Sequence, residues 1–188
     1  MKAKEELTRC NWGPMDATYQ KYHDTEWGIP KKEDAILFEM LLLEGAQAGL
    51  SWKIVLDRRE NYRKAFDNFD VKKIANYQAE DVERLRSDKG IIRNKLKINS
   101  AIKNAKAFIQ IQEEYGSFSS YIWSYVNQTP IIHHFKTNEE VPATIPLAET
   151  ISKDLKKRGM TFVGPIIIYS YMQAIGMVND HIESCSFK

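Results

Sequence analysis

Apolar positions recur mostly at spacings of three and four, so the chain reads as helical almost throughout. Residues 33–48 carry Ile36, Leu37, Met40, Leu41 and Leu43 as an inner face. Residues 51–66 place Trp52, Val55, Leu56, Tyr62 and Phe66 among charged residues, with Ser51 at the expected N-cap. Residues 93–114 set Leu96, Ile98, Ile102, Ala105 and Ile109 on one stripe. Residues 145–158 run through three basic residues to Gly159, a C-terminal stop. Residues 165–177 open on proline and are apolar nearly all round, which predicts a buried central helix. Few segments alternate with period two. Residues 127–146 are polar, with Pro130, Pro142, Pro146 and a His133-His134 pair, and a connection that long is either functional or mobile. No internal repeat is evident. The expectation is an all-α fold, one unit over 1–188.

Composition narrows the class. Of 188 residues, 43% are hydrophobic and 28% charged, which excludes wholesale disorder. No apolar run is long enough for a membrane helix, and the first fifteen residues lack the apolar core of a leader, so a cytoplasmic protein with no membrane partner is expected. Nothing suggests more than a monomer. The net charge of +2 does not announce a nucleic-acid partner. With only two cysteines, Cys10 and Cys185, no disulfide framework is expected.

Those cysteines have suggestive neighbours. Cys10 precedes His23 by a spacer of twelve residues, and His181 precedes Cys185 by one of three. Two thiolates and two imidazoles suit Zn²⁺, and a closed four-ligand site is structural because it leaves no place for water. Isolated thiols and surface histidines fit the same letters. Joined by a metal, the pairs would tie together two ends that otherwise fray.

Residues 41–52 hold a second signal. Glu44 follows three leucines, and a carboxylate on an apolar helix needs a partner or a job. It is either a structural group bonded to backbone amides or part of a pocket. Gly49 would end that helix and leave Leu50 as an apolar tip. Trp12, Tyr19, Tyr22, Trp27 and Trp52 crowd the same third of the chain. Core packing accounts for aromatic residues in general, yet planar rings beside a carboxylate also suit a flat cationic base.

Residues 84–97 carry Arg84, Arg86, Lys89, Arg93, Lys95 and Lys97 against Asp88 alone, a local charge of +5. A helix ending at Ser87, a turn at Lys89-Gly90 and a new helix from Arg93 make a helix-hairpin-helix candidate near 79–110, whose backbone amides suit a DNA phosphate. A solvated basic helix start is the other reading. Ile92 occupies the place where such hairpins usually carry a second glycine.

Taken together, Cys10-Asn11-Trp12, Tyr22-His23-Asp24-Thr25-Glu26-Trp27-Gly28, residues 38–52, Gly90-Ile91-Ile92-Arg93, Lys156-Lys157-Arg158-Gly159, Phe162-Val163-Gly164 and Val178-Asn179-Asp180-His181 resemble the bacterial type I 3-methyladenine DNA glycosylases of the helix-hairpin-helix superfamily. The resemblance spans Cys10 to Cys185. It implies an all-helical fold with one structural zinc on Cys10, His23, His181 and Cys185, joining the termini. It implies that Glu44 hydrogen-bonds the methylated adenine, that Tyr22 and Trp52 stack on it, and that Trp12 and Tyr19 complete the pocket. Gly49 and Leu50 would fill the gap left by the extracted nucleotide, and Gly90, Ile91, Ile92 and Arg93 would grip the backbone of double-stranded alkylated DNA. The implied activity is excision repair, hydrolysing the glycosidic bond of 3-methyladenine. Asn11 departs from a common glycine. Residues 99–107 hold Lys103 and Lys106 but no aspartate matching the one most of the superfamily carries after the hairpin, so no lysine Schiff base is assigned. The rival from another class is a catalytically silent, zinc-stapled DNA-binding module.

Overall fold

The computed structural model describes residues 7–14 and 16–188; of the N-terminal stretch read above as lacking a leader, residues 1–6 and Met15 lie outside that description. Among the described residues ten α-helices carry the fold: α1 (Ala17–Thr25), α2 (Asp34–Gln47), α3 (Trp52–Leu56), α4 (Arg59–Ala65), α5 (Val71–Ala75), α6 (Ala79–Ser87), α7 (Lys95–Tyr115), α8 (Phe118–Ser124), α9 (Pro146–Lys157) and α10 (Pro165–Ala174). Two parallel two-residue strands are the departure from an all-helical reading: β1 (Ile131–Ile132) pairs with β2 (Val178–Asn179).

The core sits between α2, α7 and α10. Helix α2 is buried from Leu37 to Ala46, because its apolar residues follow one another without a polar stripe. Phe38 of α2 meets Phe108 of α7 edge-on, and Phe108 stacks on Phe118 of α8. Tyr171 of α10 donates to the Leu37 carbonyl (3.1 Å). Among the described residues no helix is long and apolar enough to cross a membrane.

Three helix expectations are modified. The single helix over 51–66 is two, because the backbone turns at Arg58 (φ −102°, ψ 1°) and the Arg58 guanidinium donates to the Ile54 carbonyl, satisfying an end of α3. Helix α7 starts at Lys95, two residues later than expected, because the Asn94 side chain caps the Leu96 and Lys97 amides. Helix α10 ends at Ala174, three residues earlier than expected, and is not buried all round, since Ile166 is exposed and Ser170 and Gln173 are half-buried.

Residues 127–146 form an anchored strap. Strand β1 pairs with β2, Phe135 O accepts from the Glu183 amide (2.8 Å), and His133 Nδ1 lies 2.5 Å from Asp180. Both ends of these links lie close to the C-terminal metal-ligand positions.

Candidate active site and metal cluster

The described N-terminal segment meets the C-terminal one at Cys10, His23, His181 and Cys185. Ligand atoms of Cys10, His23, His181 and Cys185 all lie within 4.8 Å of one another, and all four residues are buried. Cys185 Sγ lies 3.3 Å from His181 Nδ1 and 3.7 Å from His23 Nε2, and Cys10 Sγ lies 3.5 Å from His181 Nδ1. A tetrahedron with metal–sulfur bonds of about 2.3 Å and metal–nitrogen bonds of about 2.0–2.1 Å has edges of roughly 3.3–3.8 Å. The donor set, and the three spacings of 3.3–3.7 Å, therefore fit a tetrahedral metal ion.

The outer partners fit as well. His23 Nδ1 sits 2.8 Å from Asp24, which also accepts a forked pair of bonds from Arg9 (2.7–3.0 Å). His181 Nε2 lies 3.2 Å from the Trp27 carbonyl. Each imidazole is thus oriented by its second nitrogen, as metal-binding histidines commonly are. Burial pushes the His181 pKa down to about 4, which keeps the ring in the neutral, ligating form.

The cluster abuts a cavity of about 510 Å³, within the range of small-molecule sites. Asp16 caps α1 by accepting from the Tyr19 amide and pairs with Lys53 of α3, drawing α1 against α3. As a result the Tyr22 and Trp52 rings meet at 5.4 Å, tilted by 50°. Two opposed plates holding a flat ring between them need roughly 7 Å, twice a carbon contact distance. Tyr22 and Trp52 therefore form one continuous aromatic wall. Trp12 packs on Tyr19 (5.0 Å) and on Trp27 (4.9 Å), and Trp27 in turn packs edge-on against His181 (4.6 Å). Gly13 permits that approach, since a Cβ there would come within 2.3 Å of the Tyr19 ring.

Glu44 reaches the cavity from α2 with 3% of its surface exposed, and its Oε2 has no hydrogen-bond partner. Burial alone lifts its pKa to about 8. Four buried side-chain polar atoms lack partners among the described residues, and three belong to cavity-lining residues: Glu44 Oε2, Trp12 Nε1 and Trp52 Nε1. Each such atom costs about 1–3 kcal/mol until something bonds it. Their grouping points to a ligand that presents both donors and acceptors.

Helix α10 and the strap complete the lining. Tyr169 (2.5 Å) and Gln173 (2.7 Å) both donate to buried Asp180, which also faces His133. Ile166 and Ser170 stand beside them, and Asn138, Val141, Pro142 and Ala143 supply the strap's share. Sequence reasoning missed all of these. Gln47 had a signal, being three residues after Glu44 on one helix face, and so did Tyr169 with Gln173, a polar pair at i, i+4 on an apolar helix. The strap's signal was its length and polarity, which marked the segment without singling out a residue, and Ile166 had none.

The remaining sequence candidates lie at the rim and below it. Gly49 adopts φ +75°, the left-handed turn that ends α2, and Leu50 is 36% exposed at its tip. Ser51 stands at the N-cap of α3, but its hydroxyl makes no cap bond and it lines the cavity. In the hairpin the Gly90 amide donates to Asp88 (2.7 Å) and the Ile92 amide to the Tyr62 hydroxyl (3.1 Å). Ile91 is buried, which leaves Arg93 as the exposed member of the four. The local charge of +5 is partly answered, because Arg84 pairs with Asp81 and Arg86 with Glu83. Lys103 and Lys106 are exposed on α7 and do not line the cavity, and Asn11 is exposed as well.

Fold, tethered ends and aromatic cavity together define a protein of the helix-hairpin-helix DNA glycosylase fold. More narrowly, the chain belongs to the methyladenine glycosylase family, whose model matches residues 12–188. It is 49% identical to DNA-3-methyladenine glycosylase 1 of Escherichia coli K12 over 95% of this chain and 96% of that one. It is 43% identical to the DNA-3-methyladenine glycosylase of Haemophilus influenzae Rd over 96% of this chain and 98% of that one. It also superimposes, with a TM-score of 0.93, on a variant 3-methyladenine DNA glycosylase I solved in complex with 3-methyladenine, at 34% identity over 96% of this chain and 97% of that one.

Proposed function

We propose that the protein is a monofunctional DNA-3-methyladenine glycosylase of base-excision repair, acting as one unit on double-stranded alkylated DNA. The observation that carries this reading is Glu44, a buried carboxylate with a partnerless oxygen in an aromatic cavity. The base must leave the helical stack to be reached, which costs a few kcal/mol. Methylation at N3 gives adenine a positive charge, which weakens its bond to the sugar. The Tyr22–Trp52 wall favours such a ring by about 0.5–2 kcal/mol per contact. Glu44, ionised once the cation enters, pairs with that charge and accepts from the exocyclic amine, a donor that guanine lacks at that position. Trp12 and Tyr19 close the pocket.

The bond breaks with its electron pair passing to the base, which leaves neutral. Water adds to the sugar carbon and gives up a proton to solvent, so the products are free 3-methyladenine and an abasic site. Glu44 is then a recognition and leaving-group residue. Leu50, carried by the Gly49 turn, fills the gap in the duplex, and Arg93 contacts a phosphate beside the hairpin of Gly90, Ile91 and Ile92. Cys10, His23, His181 and Cys185 would hold one structural Zn²⁺, which would fix its four ligands and so hold the Trp12 loop and α1 against the C-terminal segment.

Incubation with methylated duplex DNA tests the reading. Release of free 3-methyladenine is expected, and binding without release would leave the silent DNA-binding module in its place.

A further inference from the structure

Lys97 stands in the first turn of α7, immediately after the hairpin, yet its side chain turns away from solvent. Its Nζ donates to the Ala46 carbonyl (2.8 Å) and to the Ala48 carbonyl (2.6 Å), fifty residues away in sequence. Those carbonyls belong to the last turn of α2 and its cap, where the intrahelical ladder has run out. The same turn is otherwise closed by two backbone bonds, from the Ala48 amide to Gly45 O (3.4 Å) and from the Leu50 amide to Gln47 O (2.6 Å). Both partners of Lys97 are carbonyl oxygens, and a cation at a helix C-terminus is favourably placed against the helix dipole.

This turn has two working flanks. Glu44, Gln47, Ser51 and Trp52 face the cavity, and Leu50 is exposed at the tip. Lys97 joins it to the segment that begins with Arg93 and the Asn94 cap. We infer that Lys97 is a positioning residue: it holds the Ala46–Leu50 turn in the conformation that presents Leu50 to the duplex, and it registers that turn against the hairpin. Its action passes through the turn and involves no contact with a phosphate.

The inference rests on the glycosylase reading, and a double-mutant cycle separates the two. The probe is a duplex carrying an abasic site, with free 3-methyladenine as a control for the pocket. Lys97→Met is expected to weaken duplex binding about tenfold, to leave affinity for free 3-methyladenine within twofold, and to leave the slope of log affinity against log salt unchanged. Lys97→Arg, which keeps the charge and the donors, restores most of the affinity. In a Leu50→Ala background, Lys97→Met costs less than threefold, because coupled residues do not add. Independent, multiplying losses would overturn the inference. So would a slope reduced by about one, the mark of a lost phosphate contact, or an equal loss of free-base affinity, which would mark general destabilisation. Failure of the parent protein to release 3-methyladenine would instead count against the glycosylase reading.

Discussion

At the scale of single residues, Glu44 concentrates the chemistry. An ordinary glutamate titrates near 4.5, whereas burial holds the Glu44 proton up to about 8. Between those values the folded state binds more protons than the unfolded one, so its contribution to stability falls as pH rises. Glu44→Gln removes that penalty. At pH 8 the variant should exceed the parent by roughly 1–3 kcal/mol, and at pH 4 the two should coincide; chemical denaturation at both pH values reads the difference. Catalysis should move the other way. Losing a charge-assisted bond to the leaving base should lower excision about a hundredfold. Because the lesion carries a fixed charge, binding it requires Glu44 to give up its proton. The parent's kcat/KM should therefore climb with pH towards about 8, while the variant's profile stays flat over the same range. Parallel profiles would remove Glu44 from recognition.

At the scale of elements, most helices were legible because each carries its own period and its own stop. Gly159 and Gly49 end α9 and α2 in left-handed turns, as their positions after the last periodic residue suggest. The break between α3 and α4 was not legible: it depends on the Arg58 side chain folding back on Ile54, a choice that periodicity does not record. The hairpin shows the same limit. Its glycine and basic flank are visible in sequence, but the use of the Gly90 and Ile92 amides by Asp88 and Tyr62 is not. Tyr62 comes from α4, and its hydroxyl, with buried Ile91 and the Asn61 bond to the Gly90 carbonyl, fastens the hairpin to the core. Tyr62→Phe should cost about 1 kcal/mol and speed hydrogen exchange at the Ile92 amide roughly fivefold, with little change at core amides of α2. Uniform acceleration across the protein would show that the hydroxyl acts on global stability instead.

At the scale of the whole molecule, the Cys2His2 cluster and the cavity share a wall. Trp12 follows ligand position Cys10 by two residues and packs on Tyr19, and Trp27 packs on His181, so closing the ends also shapes the pocket. If the cluster holds the proposed Zn²⁺, Cys185→Ser should release it and lower stability by several kcal/mol, as loss of a structural zinc ligand does. Elemental analysis and thermal unfolding read both effects, and one equivalent of zinc retained at full stability would dismiss this ligand set. The strap over 127–146 belongs to this scale too. Its polar sequence offered function or mobility as alternatives; pairing with β2 and with the C-terminal segment makes it a fixed part of the cavity wall. The sequence by itself determined the helical periods, the turn glycines and the presence of two thiols and two imidazoles suited to one metal, because these depend on residue type and near-neighbour spacing. Only the tertiary structure decided that Tyr22 and Trp52 form one wall, that Tyr169, Gln173 and Asp180 join the lining, and that Glu44 keeps its proton. Those properties depend on which distant segments cover a side chain and exclude water from it, and covering is settled by packing.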